Sequence, residues 1–574
     1  MSTEWRIAPD WPDREAAARS WGVSPLIAQL LYNRDITDTA QAKSFLQPKL
    51  TDLHEPHTLP GSEAAAERIA RAVRDGEKIV IYGDYDVDGI TASAILWHVL
   101  RLADADVDLY VPHRLEEGYG LNTGALDKIY EDGGRLLISV DCGITACDAA
   151  RHAREIGLEM IITDHHVPHS ELPDCCAIVH PTALGDSPNP HLCGAGVAFK
   201  LAWVVAQKLS KASKVSPEFR EFLLSATGLA ALGTIADVVP LTGENRVIAH
   251  FGLASLPHSQ NPGIQALIDS AGLTGETIDS YAVGFKLGPR INAAGRMGHA
   301  RLAVELLTRA GTDRAREIAL YLEEQNRARR TLERKITKQA KEMVIAAEMH
   351  RDHCWAITLA HEDWHAGVIG IVASRLVDEF HRPVVMISLN NGVGQGSARS
   401  VRHFELDVAL QQCGEHLLSY GGHRMAAGLK IESGKIDAFR EAFAACANNR
   451  LTAQDLQPAL RVDAAVSLAD LTDPTVRAIL RLGPFGAGNP KPRLASKWLD
   501  LEGEPRCVGK MQDHLQFALR DGKVVRKAIG FGLGKRLQEL RDHRRCRVAF
   551  QPIINSYRGS DTVELQVADI QFPG

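Results

Sequence analysis

Between residues 78 and 181, short apolar runs alternate with amphipathic segments, and this alternation most constrains the fold. Lys78–Gly83 (KIVIYG) is typical of a buried strand, and Thr91–Leu100 places its apolar residues on one helical face. Further strands are predicted at Val107–Val111, Leu136–Val140, Met160–Thr163 and Ala177–His180. Strands that alternate with helices predict a parallel, doubly wound α/β sheet with right-handed crossovers.

Acidic and imidazole residues follow three of these strands directly. They are Asp84, Asp86 and Asp88 after the first strand, Asp141 after LLISV, and Asp164-His165-His166 after MIIT. The carboxyl ends of parallel strands meet at one edge of a sheet, so side chains about 80 residues apart can converge there. A further carboxylate, Asp237, follows the apolar segment Leu229–Ala236.

Such a cluster of carboxylates predicts a site for divalent cations. Buried carboxylates repel one another, and a cation removes that cost. A set rich in oxygen with one or two imidazoles suits Mn²⁺ or Mg²⁺ better than Zn²⁺, and it holds enough ligands for two ions. Taken alone, a DxD turn or a pair of adjacent histidines is common in surface loops that bind no metal. An EF-hand is disfavoured, because Asp84–Gly89 follows a strand and lacks the glutamate at loop position 12.

The remainder of the chain predicts a long helix, a second α/β unit and a β-rich end. From Thr312 to His350 there is no Gly or Pro, and the middle of this helix is basic, which is also typical of a solvated face. The second unit has predicted strands at Trp355–Ala360, Val384–Ile387 and Gly428–Ile431. The last predicted strands, which favour a small barrel, are Leu494–Leu501, His514–Leu519, Val524–Gly530, Arg547–Ile554 and Val563–Gln571, with a hairpin turn at Arg558-Gly559-Ser560.

Composition places the chain among cytoplasmic, water-soluble proteins of several domains. It has 574 residues, 45% of them hydrophobic and 24% charged, and it lacks a run of about 18 apolar residues that would predict a membrane span. Ten cysteines without a CxxC pair favour free thiols in a reducing compartment. The net charge of −6 is compatible with a local row of basic residues that binds nucleic acid.

These motifs resemble those of the DHH phosphoesterase superfamily, whose name is the tripeptide Asp164-His165-His166. The similarity is strongest to its single-strand-specific 5′→3′ exonucleases and covers most of the chain. The matching segments are GDYDVDG (83–89), VDCGI (140–144), TDHHVP (163–168), GTIADVVPL (233–241), GPRINAAGRMG (288–298), WHAGVIGIVASRL (364–376), GSARS (396–400), GGHRMAAG (421–428) and LGPFGAGNPKP (482–492).

The resemblance implies a set of metal ligands and their neighbours. The implied ligands are Asp86, Asp88, Asp141, His165 and Asp237, with Asp141 bridging two ions of Mn²⁺ or Mg²⁺. It also implies that His166 orients a ligand or the scissile phosphate and that Asp84 is an outer-sphere acid. Relatives that hydrolyse small phosphates often have histidine four residues before the first DxD aspartate, where this chain has Tyr82. This departure implies that one ion has fewer protein ligands.

The second α/β unit resembles the DHH-associated domain, which in the superfamily faces the metal centre across a cleft. Residues 394–399 and 421–423 are interpreted as glycine-rich loops whose N–H groups bind phosphate, although such loops can also serve tight packing alone. The implied substrate-binding residues are Arg114, Arg290, Ser397, Arg399, Gly421 and Gly422, with His423 beside the scissile group. An anchored 5′-phosphate would set the polarity of cleavage.

The β-rich end resembles the family's OB-fold. Its candidate stacking residues are Phe517, Phe531, Phe550 and Tyr557. Basic residues of this domain and of the long helix form a candidate path for a single strand of nucleic acid. In the domain they are Lys535, Arg536, Arg541, Arg544, Arg545 and Arg547, and in the helix they are Arg327, Arg329, Arg330, Arg334, Lys335, Lys338 and Lys341.

The resemblance implies an exonuclease that degrades single-stranded DNA from the 5′ end in recombination and repair. Its implied setting is the cytoplasm, as a monomer that works with a helicase and a single-strand-binding protein. The implied domains are an N-terminal extension (1–60), a catalytic DHH domain (61–311), a connecting helix (312–350), a DHH-associated domain (351–450) and an OB-like domain (458–574). Two alternatives remain: a phosphodiesterase of short oligonucleotides or cyclic dinucleotides, and a non-catalytic DNA-binding replication subunit.

Overall fold

A computed structural model describes residues 3–112, 120–210, 214–296, 299–351, 354–556 and 561–573. The chain divides into two compact units, which are described separately below. The larger unit contains residues 6–322 and 461–574, and the smaller one contains residues 1–5 and 323–460. Arg114, Tyr557 and the turn at residues 558–560 lie outside the described residues.

The parallel sheet predicted for the first third of the chain is confirmed. Its strands run in the order β3–β2–β4–β5–β6, and every neighbouring pair is parallel. The strands are β2 (Ile79–Gly83), β3 (Val107–Tyr110), β4 (Leu136–Val140), β5 (Glu159–Thr163) and β6 (Ala177–Val179), preceded by β1 (Glu4–Ile7), α1 (Arg14–Trp21), α2 (Pro25–Tyr32), α3 (Thr39–Leu46) and α4 (Ser62–Asp75). The central strands β2 and β4 are buried along their whole length, as expected when helices cover both faces.

Helices cover this sheet and extend the N-terminal half of the larger unit. They are α5 (Val87–Leu102), α6 (Thr123–Glu131), α7 (Cys147–Glu155), α8 (Gly194–Ser210), α9 (Pro217–Ala236), α10 (Gly243–Ser255), α11 (Pro262–Ser270), α12 (Ser280–Ala282), α13 (Gly288–Arg296) and α14 (Ala300–Thr308). A π-helical turn, Val283–Leu287, joins α12 to α13. The apolar faces of α4, α5, α8 and α9 meet in one hydrophobic core on the sheet.

The predicted long helix is confirmed as α15 (Thr312–Ala346). In the larger unit, Ala315, Ile318 and Leu322 of its first turns are buried in the core around α5 and α8. In the smaller unit, Ile336 and Ala340 are buried against the strands that follow. Apolar residues therefore recur at helical spacing at both ends of the helix, as the sequence indicates.

The smaller unit is an α/β domain with a mixed sheet in the order β10–β11–β9–β8–β7. Only the β7–β8 pair is parallel among the described strands of this sheet. Its elements are β7 (Ile357–His361), α16 (Ala366–Phe380), β8 (Val384–Asn390), β9 (Val393–Arg399), α17 (Leu406–Gln412), β10 (Ser419–Gly422), β11 (Ala426–Glu432) and α18 (Ile436–Arg450).

The C-terminal region of the larger unit is rich in antiparallel strands, in agreement with the predicted OB-like domain. Each strand from β15 to β19 pairs with two others of this group. The elements are β12 (Ala459–Val462), β13 (Ala464–Val466), α19 (Asp473–Leu480), β14 (Leu494–Ser496), β15 (Leu499–Val508), β16 (His514–Asp521), β17 (Val524–Gly530), α20 (Leu537–His543), β18 (Arg545–Asn555) and β19 (Thr562–Gln571).

Two details of the C-terminal prediction are wrong. The single strand predicted at Leu494–Leu501 is two strands, because β14 pairs with β13 and β18, whereas β15 pairs with β16 and β18. Phe517 and Phe550 cannot stack on bases, because both side chains are buried in the domain core. Among the candidate aromatic residues that the structure describes, Phe531 is the exposed one.

The cysteines agree with the sequence analysis. All ten cysteines are free thiols. Across the described parts of the chain, the model contains no helix with the length and apolar character needed to cross a lipid bilayer.

Candidate metal centre and phosphate site

The strand ends of the sheet bring the predicted metal ligands together around His165. Its Nε2 atom lies 3.1 Å from Oδ1 of Asp141, 3.7 Å from Oδ2 of Asp88 and 3.7 Å from Oδ2 of Asp237. Asp88 follows β2, Asp141 follows β4, His165 follows β5 and Asp237 ends α9. Residues about 150 positions apart therefore share one small volume.

The donor atoms form three overlapping groups that suit divalent cations. Within each group, one donor atom of every residue lies within 4.8 Å of the others. The groups are Asp84 with Asp86 and Asp141, Asp88 with His165 and Asp237, and Asp141 with His165 and His166. Oxygen donors with one or two imidazoles are the ligands of Mn²⁺ and Mg²⁺, and shared residues between groups allow two ions to lie side by side.

The electrostatics of the cluster favour a bound cation. Burial, together with the charges of Asp88 and Asp86, raises the pKa of Asp141 well above its usual value. Burial and the same two charges raise the pKa of Asp237 to about 8, and burial and Asp88 raise the pKa of Asp86. Burial lowers the pKa of His165 despite the nearby carboxylates, so its neutral form, which binds metals, is favoured. A cation would offset the repulsion among these carboxylates.

Helix N-termini hold two of the carboxylates in place. Asp86 caps α5, where its Oδ1 accepts from the backbone N–H groups of Asp88 and Gly89. The carboxylate of Asp88 accepts from the N–H groups of Gly194 at 2.6 Å and Ala195 at 2.8 Å, at the start of α8. Because the N–H groups of a helix N-terminus attract anionic oxygens, these hydrogen bonds hold both carboxylates at the strand ends.

Asp141 has a strained backbone and a close glycine neighbour. Its φ angle is 60°, in the left-handed region that few residues other than glycine adopt. A Cβ atom built on Gly194 would lie 2.6 Å from Cβ of Asp141, so no other residue fits there without displacing the carboxylate. Strain of this kind persists where the surrounding structure holds it, which is typical of functional sites.

Asp164 organises the DHH tripeptide rather than contributing to the predicted ligand set. Its Oδ1 atom accepts from the backbone N–H groups of His165 and His166 and from Nδ1 of His166, and its Oδ2 accepts from the N–H of Ile144. Burial acts against the charged form, but the hydrogen bond and charge of His166 outweigh it and lower the pKa of Asp164 to about 2. Burial alone would lower the pKa of His166, but the hydrogen bond and charge of Asp164 outweigh it and raise this pKa to about 9.

His180 is a supporting residue that the sequence analysis missed. Its Nδ1 accepts from the N–H groups of Thr182 and Ala183, so its Nε2 carries the proton and donates to the carbonyl of His166 at 2.8 Å. The side chain is fully buried at the end of β6. Its position at a fourth strand exit of the same sheet is the signal that could have identified it.

Tyr82 takes no part in the metal centre. Its hydroxyl donates to the carbonyl of Gly120 at 2.8 Å, and its ring stacks on Tyr110 with ring centroids 5.2 Å apart. The side chain is buried within the core on the other face of the sheet. The position that is often histidine in relatives acting on small phosphates is therefore structural in this chain.

In the smaller unit, the predicted phosphate residues lie on β9 and β10, the two strands that flank β11. Gly421 pairs with Gly428, and Gly428 pairs with Ser397. Nη1 of Arg399 donates to Oγ of Ser397 at 3.0 Å. Both side chains lie close to the first turns of α16, because a Cβ atom built on Gly370 would be 2.8 Å from Oγ of Ser397 and 2.9 Å from Nη2 of Arg399. A hydroxyl, a guanidinium and a helix N-terminal region together favour an anion.

The interpretation of residues 394–399 as a loop is wrong. They form β9, which pairs with β8 on one side and β11 on the other, so their backbone N–H groups face ladder partners and are not available to phosphate. The candidate phosphate donors of β9 are therefore the side chains of Ser397 and Arg399. Gly421 and Gly422 lie on β10, an exposed edge strand, directly before His423.

The remaining basic candidates differ in their contacts. Arg290 donates to the carbonyls of Lys286 and Ser270. On α15, Arg329 pairs with buried Glu333. Ion pairs also hold Arg327, Lys338 and Lys341 of α15 and Arg536, Arg544 and Arg545 of the C-terminal domain. Three exposed basic residues of α15 form no ion pair with any residue that the structure describes: Arg330, Arg334 and Lys335.

An exposed aromatic pair beside the catalytic helices was also missed. Tyr281 and Phe285 are 61% and 70% exposed, and their rings stack with centroids 4.7 Å apart. Phe285 belongs to the π-helical turn before α13, and Asn292 of α13 accepts from the N–H of Val87 in the metal-binding turn. A π-helical turn is not visible in a hydrophobic pattern, although such turns are frequent at functional sites.

Three segments of the chain match known protein families and so identify its class. Residues 78–227 match the DHH family, N-terminal domain, and residues 344–449 match the DHHA1 domain. Residues 462–569 match the RecJ OB domain. A metal centre at the strand ends of a DHH domain, with these two further domains, defines a DHH-family metal-dependent phosphoesterase.

Whole-chain comparisons define the family within this class. The chain is 38% identical to the single-stranded-DNA-specific exonuclease RecJ of Bacillus subtilis, over 98% of this chain and 70% of the relative. It is 34% identical to the Haemophilus influenzae RecJ, over 95% of this chain and 96% of the relative. The crystal structure of Thermus thermophilus RecJ in complex with Mn²⁺ superposes with a TM-score of 0.86 at 30% identity, covering 100% of this chain and 80% of that one. The chain belongs to the RecJ family.

Proposed function

We propose that this chain is a metal-dependent exonuclease that hydrolyses single-stranded DNA from the 5′ end to 5′-mononucleotides. The observation that carries the proposal is the convergence of Asp88, Asp141 and Asp237 on His165. Relatives named as single-stranded-DNA-specific exonucleases align along almost the whole chain, which supports the same activity here. The relative crystallised with Mn²⁺ supports a metal-dependent reaction.

In this proposal, five residues would hold two ions of Mn²⁺ or Mg²⁺. They are Asp86, Asp88, Asp141, His165 and Asp237, with Asp84 as a neighbouring acid, and all six belong to the three groups of donor atoms described above. When bound, such ions would supply an activated water and offset the charge of the phosphate. The attack on phosphorus breaks the P–O3′ bond and leaves a new 5′-phosphate on the shortened strand.

His166 is proposed to orient the scissile phosphate. Its Nδ1 atom bonds to Asp164, which fixes the ring and leaves Nε2 as the atom for a phosphate oxygen. The carbonyl of His166 accepts from buried His180, so the backbone of this residue is held as well. His423, in the smaller unit, stays a proposed catalytic residue.

The 5′-terminal phosphate is proposed to bind Ser397 and Arg399, with Gly421 and Gly422 alongside. The contact between these two side chains and their closeness to α16 support this role. An anchored 5′ end would set the polarity of cleavage. Arg114 and Arg290 stay proposed substrate contacts on the side of the larger unit.

The single strand is proposed to follow exposed basic and aromatic residues. Arg330, Arg334 and Lys335 on α15 would bind backbone phosphates. Phe531 in the C-terminal domain and the pair Tyr281–Phe285 would stack on bases.

The proposed setting follows from the family. We propose that the enzyme acts in DNA recombination and repair in the cytoplasm, as a monomer, with a helicase that supplies single strands and a single-strand-binding protein nearby. The domain boundaries at residues 60, 311, 350 and 450 are proposed as functional divisions. The compact units divide the chain within α15 instead.

One assay tests this function directly. Single-stranded and duplex 20-mers with a 5′-phosphate, labelled at the 5′ or the 3′ end, are incubated with Mn²⁺. We expect the 5′-labelled single strand to release a labelled mononucleotide immediately. The 3′-labelled single strand is expected to give a ladder of progressively shorter products. Preference for a trinucleotide over the 20-mer would favour a short-oligonucleotide phosphodiesterase instead. Binding without nucleotide release would indicate a non-catalytic DNA-binding protein.

A further inference from the structure

The C-terminal domain contacts the chain segment that carries Asp237. This segment, residues 237–241, follows α9, and the backbone N–H of Leu241 donates to the carbonyl of Ala487 at 2.8 Å. Ala487 belongs to the turn Leu482–Pro490, which we call the clamp turn. A motif of the C-terminal region is therefore hydrogen-bonded four residues from a candidate metal ligand.

The clamp turn fits the Asp237 segment closely at two glycines. A Cβ atom on Gly486 would lie 2.8 Å from Cδ1 of Leu241. A Cβ atom on Gly488 would lie 3.1 Å from Cβ of Pro240 and 3.2 Å from Cγ2 of Thr242. The φ angle of Gly488 is +69°, so glycine also meets a backbone requirement at this position.

Asn489 makes the clamp turn rigid. Its Nδ2 donates to the carbonyls of Leu482 at 2.8 Å and Pro484 at 2.9 Å, and its Oδ1 accepts from Nε of Arg34 at 2.7 Å. The backbone groups of Gly486 and Asn489 bond to each other in both directions. The side chain of Asn489 is fully buried, so these bonds are shielded from water.

The Asp237 segment needs such support because Val238 is strained. Its φ angle is 63°, which is an outlier for a β-branched residue, and its side chain is 68% exposed, so core packing does not hold it. On one side, the N–H groups of Asp237 and Val238 bond to the last turn of α9. On the other side, the clamp turn holds Leu241. Strained backbone persists only where flanking contacts over-determine it.

We propose that the clamp turn is a positioning element for Asp237, with Gly488 and Asn489 as its positioning residues. By fixing Pro240 and Leu241, the turn holds Val238 in its strained form and keeps the Asp237 carboxylate 3.7 Å from Nε2 of His165. The inference rests on the proposed function, in which Asp237 is a metal ligand. It adds that the C-terminal domain tunes metal affinity as well as contacting DNA.

The test compares Gly488→Ala with Gly503→Ala in the full chain. Gly503 has a φ angle of +71° in the same domain, and a Cβ atom there would meet nothing within 4 Å. In both variants, alanine is strained by the positive φ angle of the replaced glycine. Only the methyl group of Gly488→Ala would contact the Asp237 segment. Mn²⁺ binding is measured without DNA by the electron paramagnetic resonance signal of free Mn²⁺, and folding is checked by thermal unfolding in EDTA.

We expect Gly488→Ala to lower the affinity of one Mn²⁺ about 10- to 100-fold, the range found when residues that support a metal ligand are replaced. Gly503→Ala is expected to bind like the wild type. In a nuclease assay, Gly488→Ala would need more Mn²⁺ for half-maximal rate, with kcat recovered at saturating Mn²⁺. Val238→Gly, which removes the strain, is expected to restore part of the affinity in the Gly488→Ala background.

Equal Mn²⁺ affinity in the two folded alanine variants would overturn the proposal. If Gly488→Ala does not fold, Gly486→Ala, whose new methyl group would meet only the side chain of Leu241, takes its place. Unfolding of both variants would also overturn it, because the turn would then serve folding alone. Absence of Mn²⁺ binding by the wild-type chain would instead contradict the proposed function.

Discussion

Gly194 lies directly against the side chain of Asp141, and its backbone N–H donates to Asp88. One residue at the start of α8 thus contacts two carboxylates of the candidate metal centre. The residue must be small for the first contact and needs its N–H for the second. A larger residue at position 194 would therefore disturb the candidate metal centre directly.

Gly194→Ala is predicted to lower Mn²⁺ affinity about 10- to 100-fold, because the new methyl group displaces the Asp141 carboxylate. Isothermal titration calorimetry with Mn²⁺ measures the effect. Gly124→Ala is the matched control, since Gly124 also lies in the first turn of a helix and a Cβ atom there would be 3.8 Å from its nearest neighbour, Oδ1 of Asn122. Equal affinity in the two variants would contradict the placement of Asp141 in the metal centre.

Asp141→Asn is predicted to stabilise the metal-free protein while abolishing hydrolysis. The buried carboxylate has a pKa well above its usual value because burial and its neighbours disfavour its charge, so a neutral amide relieves repulsion. A gain in the free energy of unfolding in EDTA is therefore expected. Chemical denaturation measures this gain, and nucleotide release measures activity. Asp186→Asn, an exposed change, serves as control; a destabilised Asp141→Asn protein would count against the repulsion argument.

Gly370→Ala is predicted to reduce the preference for a 5′-phosphate over a 5′-hydroxyl end. The new methyl group would meet Oγ of Ser397 and the guanidinium of Arg399 at 2.8 and 2.9 Å and displace both from the proposed phosphate position. Rates on the two kinds of end measure the preference, which is expected to fall at least about tenfold, equivalent to about 1.4 kcal/mol. Gly434→Ala, where a Cβ atom would meet nothing within 4 Å, is expected to keep it. An unchanged preference in Gly370→Ala would reject the anchor.

Phe285→Ala is predicted to weaken the binding of single-stranded DNA without changing Mn²⁺ affinity. Loss of one base–aromatic stack costs about 1–3 kcal/mol, or about 5- to 150-fold in Kd. Fluorescence anisotropy of a labelled 20-mer in EDTA measures Kd. Leu102→Ala truncates an exposed apolar residue at the C-terminal end of α5, which begins at the metal centre and runs away from it, and should leave Kd unchanged. Equal Kd values would exclude Phe285 from the strand path.

The sheet and the candidate ligands could be predicted because they depend on local signals. β4 is found at its predicted limits, and β2 differs by one residue, since buried strands of a parallel sheet are uniform apolar runs. The convergence of Asp141 and His165 follows from the rule that parallel strands end at one edge.

The supporting residues could not be predicted because they depend on tertiary contacts. Nothing near Gly194 in the sequence indicates that Asp141 packs on it, and nothing near Asn489 indicates its bond to Arg34. The glycines of β9 indicate a loop at the level of the sequence, because glycine is rare inside strands. Here Gly394 and Gly396 leave room for the side chains of Ile387, Leu429 and Ile431 on neighbouring strands.

The placement of β9 inside its sheet has an evolutionary consequence. A loop could adapt its backbone to ends of different chemistry, but a strand paired on both sides keeps its main chain fixed. Discrimination among DNA termini would then rest on the chemical identity of the residues at positions 397 and 399. Exchanges at these two positions could change which termini are accepted, while the scaffold that carries them stays intact.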